Sequence, residues 1–477
     1  MKTSVEMLAN CSVGEGDVLH TVAGHPLADH FYDATGINPR ASHLDQVVLT
    51  PPAEHMGHPL WDSSGDKIMR SSNDLRSFYM SVEDSPGTRA SLTVKGGDMP
   101  YMSQLLASRG FAPLRRVKNG QIPGGSIIGA AQTEFNAGLY LHERSLHYYG
   151  ELAPVAIPLR INTISKIPGK NGELVDIVEY ANSEAYMGNV DPHRKSLGLK
   201  EREGVGDMLF RRFGLTACEY LYALPEPDNV RVNDLYSYRL FGYFDEKTGY
   251  DEAAYHASVK DPLFHMNTDI DRMGDNFPPA AHRKDRVIRN AYRLLAKAYG
   301  FAPEIVLPEY EINDENYLGS LGSIAAKCQS EGIDALVLDR FIGNMTRAAA
   351  LAHSDGRVFC RGEVVGGSFM PRNVTVGGTV LDLDTLGKLN PDAHWQRLPR
   401  DIMEMTLSIA SIERLVRGTN APRLFTGVLE RYLTELNTTG VPKREAEAVR
   451  EHLLDNTAVI DAATCLQNHE LDIFEKR

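Results

Sequence analysis

Two runs rich in β-branched and aromatic residues, Ser77-Phe78-Tyr79-Met80-Ser81-Val82 and Arg89-Ala90-Ser91-Leu92-Thr93-Val94-Lys95, flank the turn formers Asp84-Ser85-Pro86-Gly87. Such a pattern specifies a β-hairpin. A helical pattern follows over Ser126 to Tyr149, where Ile128, Phe135, Leu139 and Leu146 recur, with Gly150 as the stop and Pro154 beyond. Residues about 165–230 are loop-rich, and Arg231 to Gly242 reads as mainly extended. Helical signatures then dominate, at Arg286–Tyr299, Ser320–Cys328, Ile402–Val416, Arg423–Leu436 and Arg444–Leu454, interrupted by one β-pattern at 373–384. A β-rich first half and a helical second half make an α+β chain. The expected division is an N-terminal arm at 1–60, a β-rich domain at 61–245 and a helical domain at 246–477.

Fifty basic against sixty-three acidic side chains leave a net charge of -13, which disfavours nucleic acid as a partner. Any anionic ligand must be held by a few focused cations. The five cysteines are scattered, without C-x-x-C or zinc spacing, as expected of a cytoplasmic chain with reduced thiols. No run reaches the roughly 18 apolar residues of a membrane helix. The sixteen histidines show no metalloprotease spacing, and His142 and His147 read as surface or packing residues. No G-x-S-x-G elbow, Walker loop or dinucleotide fingerprint is present, so the sequence gives no indication of zinc, serine or dinucleotide chemistry.

Candidate site residues come from the two ribbons. A symmetric register across Asp84 to Gly87 sets Arg76 opposite Lys95, two cations whose juxtaposition makes best sense beside a polyanion. Gly96 and Gly97 follow Lys95 and allow close backbone approach by a ligand. Glu134, flanked by Ala130, Ala131 and Ala137, is placed to point toward Lys95; an exposed helix glutamate is the ordinary alternative. Arg231 and Arg239 share a face if the segment between them is one strand, and arginine forks suit phosphate. In the second ribbon, a Gly377-Gly378 turn sets Asn373 opposite Asp382, where two oxygens suit one hard cation such as Mg²⁺. The bland alternative is a surface hairpin with polar ends. Asp384 lies on the same face.

In order and local sequence these pieces resemble the selenoprotein O family of kinase-like proteins, over about Leu75 to Leu389. Lys95-Gly96-Gly97-Asp98-Met99-Pro100-Tyr101-Met102-Ser103 resembles that family's K-G-x-G-x-T-P-Y-S-R, and Thr133-Glu134-Phe135 its R-E-F. Arg231-Val232 with Tyr238-Arg239-Leu240-Phe241-Gly242 is similar to R-V-A-x-S-x-x-R-F-G, one residue longer. Gly367 through Asp382 is similar to H-G-V-M-N-T-D-N-M-S-I-x-G-L-T-I-D.

The resemblance implies a two-lobed protein-kinase-like fold that binds ATP reversed, so that AMP passes to a protein hydroxyl. Lys95, Glu134, Arg76, Arg231 and Arg239 are then expected to organise the phosphates, and Asn373 and Asp382 to hold Mg²⁺ or Mn²⁺. Where the family has an aspartate before its metal-binding asparagine, this chain has Arg372, which suits the carboxylate or phosphate of a small acidic acceptor. Gly366 replaces the family's histidine, and only Cys465 lies near the C-terminus. Transfer of the γ-phosphate and an inactive nucleotide-binding scaffold are the alternative readings.

Overall fold

The computed structural model describes residues 2–50, 68–70, 77–99, 122, 124–169, 171–188, 190–227, 229–232, 244–245, 249–250, 295, 298–300, 325–360, 367–418 and 423–456. Arg76, Arg239 and Gly366 fall outside these, as do most of the Arg286–Tyr299 and Ser320–Cys328 segments. The chain is α+β with an antiparallel sheet and divides into two units that interleave in sequence. One comprises Met1–Phe135, Ile157–Asn229 and Tyr243–Met266; the other Asn136–Ala156, Val230–Gly242 and Asn267–Arg477.

The first unit is built on strands β1 (Ser12–Gly14), β2 (Val18–Thr21), β3 (Val47–Leu49), β4 (Ile68–Arg70), β5 (Ser77–Val82), β6 (Ala90–Lys95), β7 (Ser126–Ile127), β8 (Ile157–Thr163), β9 (Lys166–Pro168), β10 (Leu174–Asp176) and β11 (Ala217–Leu224). Its main sheet runs β2-β8-β11-β6-β5-β4, with β7 also on β11. Short pairs β1/β3, β9/β10 and β12 (Phe244–Asp245) with β13 (Gly249–Tyr250) complete it. Every residue of β5, β6 and β11 is buried, which is why these strands read as nearly continuous apolar runs. On one side Val47, Leu49, Ile164, Ile167, Tyr186 and Met208 form a core cluster.

Residues 2–50 are not an arm. Helix α1 (Ser4–Leu8) is closed by a Thr3/Glu6 capping box, α2 (Ala28–Thr35) ends at Gly36 with φ 73°, and β2 joins the main sheet beside β8. These elements are three to eight residues long, too short to display a hydrophobic period.

The expected 77–95 ribbon forms, but its register is one residue from the symmetric reading: Val82 pairs Ala90 and Ser77 pairs Lys95. The connection is centred on Pro86 and has an odd number of residues, whereas a four-residue turn requires an even one. Arg76 is therefore not the residue opposite Lys95.

Helix α3 (Ile128–Tyr149) begins two residues later than its pattern, because Ser126 and Ile127 pair with β11 first. Its buried stripe is Ala131, Glu134, Phe135, Gly138, Leu141, His142 and Ser145, at the spacings of one helix face.

In the second unit α4 (Ile333–His353) packs against α5 (Pro391–Arg417) and α6 (Leu424–Thr438), and α7 (Lys443–Asp455) packs on α6. Helix α5 has sharp ends: the Asn390 side chain accepts from Ala393 N–H at 2.9 Å, Pro391 occupies its first turn, and Gly418 closes it at φ 76°. Pro399 inside α5 has no N–H for the Trp395 carbonyl. That carbonyl is instead in contact with His452 Nε2 of α7, at 2.9 Å. A small ribbon, β14 (Arg357–Val358) with β15 (Gly387–Lys388), sits beside these helices. Among the described residues no helix is long and apolar enough to cross a membrane.

Candidate functional site

Lys95 ends β6 between two partners, Ser77 on β5 and Tyr220 on β11. Its ammonium Nζ lies 2.7 Å from Glu134 Oε2, and the side chains are only 7% and 2% exposed. The sequence folds this way because Glu134 falls on the buried stripe of α3, next to Phe135, whose ring meets Tyr220 edge-on at 6.4 Å. Burial first, and then the neighbouring Glu134 charge, hold the Tyr220 hydroxyl well above the usual phenol range. Two buried opposite charges at hydrogen-bond distance are mutually compensated, but their net contribution to stability is small because both are desolvated. The pair fixes a cation at a defined place on a rigid sheet.

Gly96 and Gly97 are closely surrounded by backbone. Gly96 adopts φ 98°, and a Cβ there would lie 2.3 Å from the Cys218 carbonyl oxygen; one on Gly97 would lie 2.7 Å from Val48 O. Both glycines let strands of this unit pack closely.

In the second unit, the 373–384 ribbon is shorter and shifted. Val374 bridges Val380, Thr375 N–H donates to Thr379 O, and Leu381 N–H donates to Asn373 O at 2.7 Å. Only Gly378 of the glycine pair has positive φ, at 87°, in keeping with a three-residue connection of Val376, Gly377 and Gly378. Asn373 therefore faces Leu381, and Asp382 is the next residue along. The Asn373 amide donates through Nδ2 to Gly367 O at 3.1 Å, which leaves Oδ1 to accept. Asp382 has φ 57°, unlike any other described non-glycine residue, a conformation costing roughly 1–2 kcal/mol for an L-residue. Its carbonyl accepts from Ser368 Oγ at 2.9 Å. One amide oxygen and one half-buried carboxylate, held by backbone bonds, are hard donors of the kind Mg²⁺ takes. Among the described residues no group of three His, Cys, Asp or Glu side chains is placed to hold a metal.

Arg231 is buried, bridges Thr375 through its backbone, and donates from Nη1 to the Arg372 carbonyl at 2.8 Å. It thus shapes the backbone just before Asn373. The Arg372 side chain is exposed. Asp384 is half-buried. The structure brings Lys95 and Glu134 together in one unit, and Arg231, Arg372, Asn373 and Asp382 along one stretch of the other; Arg76 and Arg239 lie outside the described residues.

Several buried acids are not marked as such in the sequence, Glu219, Asp401 and Glu404 among them. Glu219, on β11, accepts from Val48 N–H and Asn162 Nδ2, both at 2.7 Å. Asp401 and Glu404, on α5, accept from Phe359 N–H at 2.6 Å and Gly367 N–H at 2.9 Å. The one available signal is a lone acid within an apolar strand or helix face. No protein-family model and no curated protein matches this chain.

Proposed function

We propose that this protein is a two-lobed, kinase-like transferase that uses ATP with Mg²⁺ or Mn²⁺ to pass AMP to a protein hydroxyl or a small acidic acceptor. The observation that carries the reading is the buried Lys95–Glu134 pair, a strand lysine held in place by a helix glutamate. Resemblance to the selenoprotein O motifs supports it, and so does the strained backbone at Asp382, since such conformations cluster at functional sites.

In this reading the Lys95 ammonium takes phosphate oxygens, Glu134 keeps that ammonium from turning away, and Asn373 and Asp382 hold the cation that neutralises developing charge. The acceptor oxygen bonds to the α-phosphorus, the bond to the bridging oxygen breaks, pyrophosphate leaves, and the hydroxyl proton passes to solvent or to a base. Arg372 takes the place of the family's base and favours an acceptor carrying its own carboxylate or phosphate. The same substitution favours, as a second reading, a scaffold that binds ATP without turnover.

Incubation of the full chain with Mg²⁺ or Mn²⁺, ATP and cell extract tests this by mass analysis of the modified acceptors. AMP adds about four times the mass of a phosphoryl group. Label from the α-phosphate on an acceptor is the expected result; label only from the γ-phosphate, or ATP binding with no label, rejects AMP transfer. Lys95→Met is expected to weaken ATP binding at least tenfold, or about 1.4 kcal/mol. Glu134→Gln placed on top of it is expected to add little further loss in binding, because the ammonium that Glu134 positions is already gone.

A further inference from the structure

Asp401, Glu404 and Ser408 lie three, then four residues apart on α5, so they form one stripe, and they are 0%, 2% and 0% exposed. Each engages the backbone of the same stretch of chain. Asp401 Oδ2 accepts from Phe359 N–H, Glu404 Oε2 accepts from Gly367 N–H, and Ser408 Oγ donates to Phe369 O at 2.6 Å. From there the connection runs to both proposed metal ligands: Gly367 O accepts from Asn373 Nδ2, and Ser368 Oγ donates to Asp382 O. A Cβ on Gly367 would lie 2.7 Å from Glu404 Oε2, so the carboxylate uses the space that glycine leaves.

We infer that Glu404 is a proton-operated positioning residue: ionised, it holds Gly367 and with it Asn373 and Asp382 firmly in place, and protonated, it loosens them. The inference rests on the cation role proposed for Asn373 and Asp382. A charge-assisted hydrogen bond is about twice as strong as a neutral one, so uptake of one proton weakens the anchor without removing it. Among the described residues, the groups facing Glu404 are Asp401 and Arg400 of its own helix, the latter with Nε 3.2 Å from Oε1, and the Cys360 thiol just beyond β14. His353 of α4 and Tyr432 of α6 act at one remove: His353 Nε2 lies 3.0 Å from Asp401 Oδ2 and its Nδ1 2.7 Å from the Tyr432 hydroxyl. Burial, and then the Asp401 charge, push the Glu404 carboxyl up to about 7, against Arg400, which pulls it down. The loosening therefore falls within the physiological range.

Amide exchange by mass spectrometry across residues 367–385, in the metal-free full chain between about pH 5.5 and 8.5 and corrected for intrinsic rates, reads the anchor directly. Exchange is expected to quicken roughly fivefold as pH falls through the transition, and Glu404→Gln is expected to abolish that pH dependence. Arg400→Leu, a half-buried position, keeps the carboxylate and should move the midpoint to higher pH. The same pH profile in wild type and both variants overturns the inference. Mn²⁺ titration of the same proteins separates it from the functional reading. Affinity lost in step with exchange supports both; an anchor that titrates without any Mn²⁺ binding leaves the positioning of residues 367–385 intact and removes the cation site.

Discussion

Glu219 makes the pH dependence of the first unit calculable. It is fully buried on β11, and burial pushes its carboxyl up to about 8 from the ordinary 4.5, against the Asn162 and Val48 hydrogen bonds and the Arg160 charge, which pull it down. Between those two values the folded protein holds a proton that the unfolded chain has released. The contribution is therefore fully present below about 4.5 and is lost as pH rises through about 8. At about 1.4 kcal/mol per pH unit, the loss approaches 5 kcal/mol across the interval. Glu219→Gln imitates the protonated acid at every pH. Its Oε1 is placed to accept from Val48 N–H, and its amide N–H₂, which lies where Asn162 Nδ2 now donates, donates to Asn162 Oδ1 once the Asn162 amide turns over, exchanging the Nδ2 contact with Gln46 O for it. The variant should match wild type near about pH 4.5 and exceed it by several kcal/mol near about pH 8. Urea series read by amide exchange of peptides from β8 and β11 measure this. Parallel pH curves for the two proteins would refute the reasoning, because they would mean that the carboxylate is ionised throughout and that Arg160 outweighs burial.

Three other outcomes follow from particular contacts. His142 is fully buried, and desolvation lowers its imidazole to about 4 from 6.5, so the second unit should lose up to about 3 kcal/mol as pH falls from about 6.5 to 4; exchange of α3 peptides reads this, and His142→Phe should flatten it. Gly96→Ala forces a side chain into positive φ and against the Cys218 carbonyl, and should cost about 2–4 kcal/mol in thermal or urea unfolding. His452→Ala should cost about 1 kcal/mol through the Trp395 carbonyl, and less when Pro399→Ala has restored that carbonyl's own N–H donor; additive costs in the double mutant would show that the contact contributes nothing.

The elements visible in the sequence are those whose pattern is local. The 77–95 ribbon, α3, most of α5, α6 and α7 are where residue spacing puts them, and Gly150 and Gly418 mark the ends of α3 and α5 through their left-handed backbone. Both ribbon registers came out one residue away because register depends on whether the connection is odd or even. Pro86 and Gly377 are central residues of odd connections, and composition does not reveal this. Helix α4 stands out poorly in the sequence, although Val337, Phe341, Met345, Ala348, Ala349 and Ala352 are buried at helical spacing. Its alanines pack without supplying a strong apolar signal. Glu134 was legible because small residues flank it on a helix. Glu219, Asp401 and Glu404 were not, because an acid in an apolar run carries no mark of whether it faces solvent or a buried N–H.

The contrast between Glu134 and Glu219, both buried in the first unit, bears most on function. Glu219 faces backbone and amide donors, and a proton can satisfy it, so a fold that needs only a hydrogen-bonded acid there has the solution it needs. Glu134 instead faces an ammonium 2.7 Å away. Replacing a buried ion pair with apolar side chains of similar size is commonly neutral or stabilising. Packing alone therefore gives no reason for Lys95 and Glu134 to be charged, and neither does holding the sheet against α3, which Phe135 and Tyr220 of β11, the strand beside β6, already do through their rings. What the pair provides that an apolar pair cannot is a fixed ammonium at the end of a central strand. An immobilised cation in a molecule of net charge -13 is useful chiefly toward an anion. If Lys95→Met with Glu134→Met were as stable as wild type and still bound ATP with unchanged affinity, that argument would fail at its first step.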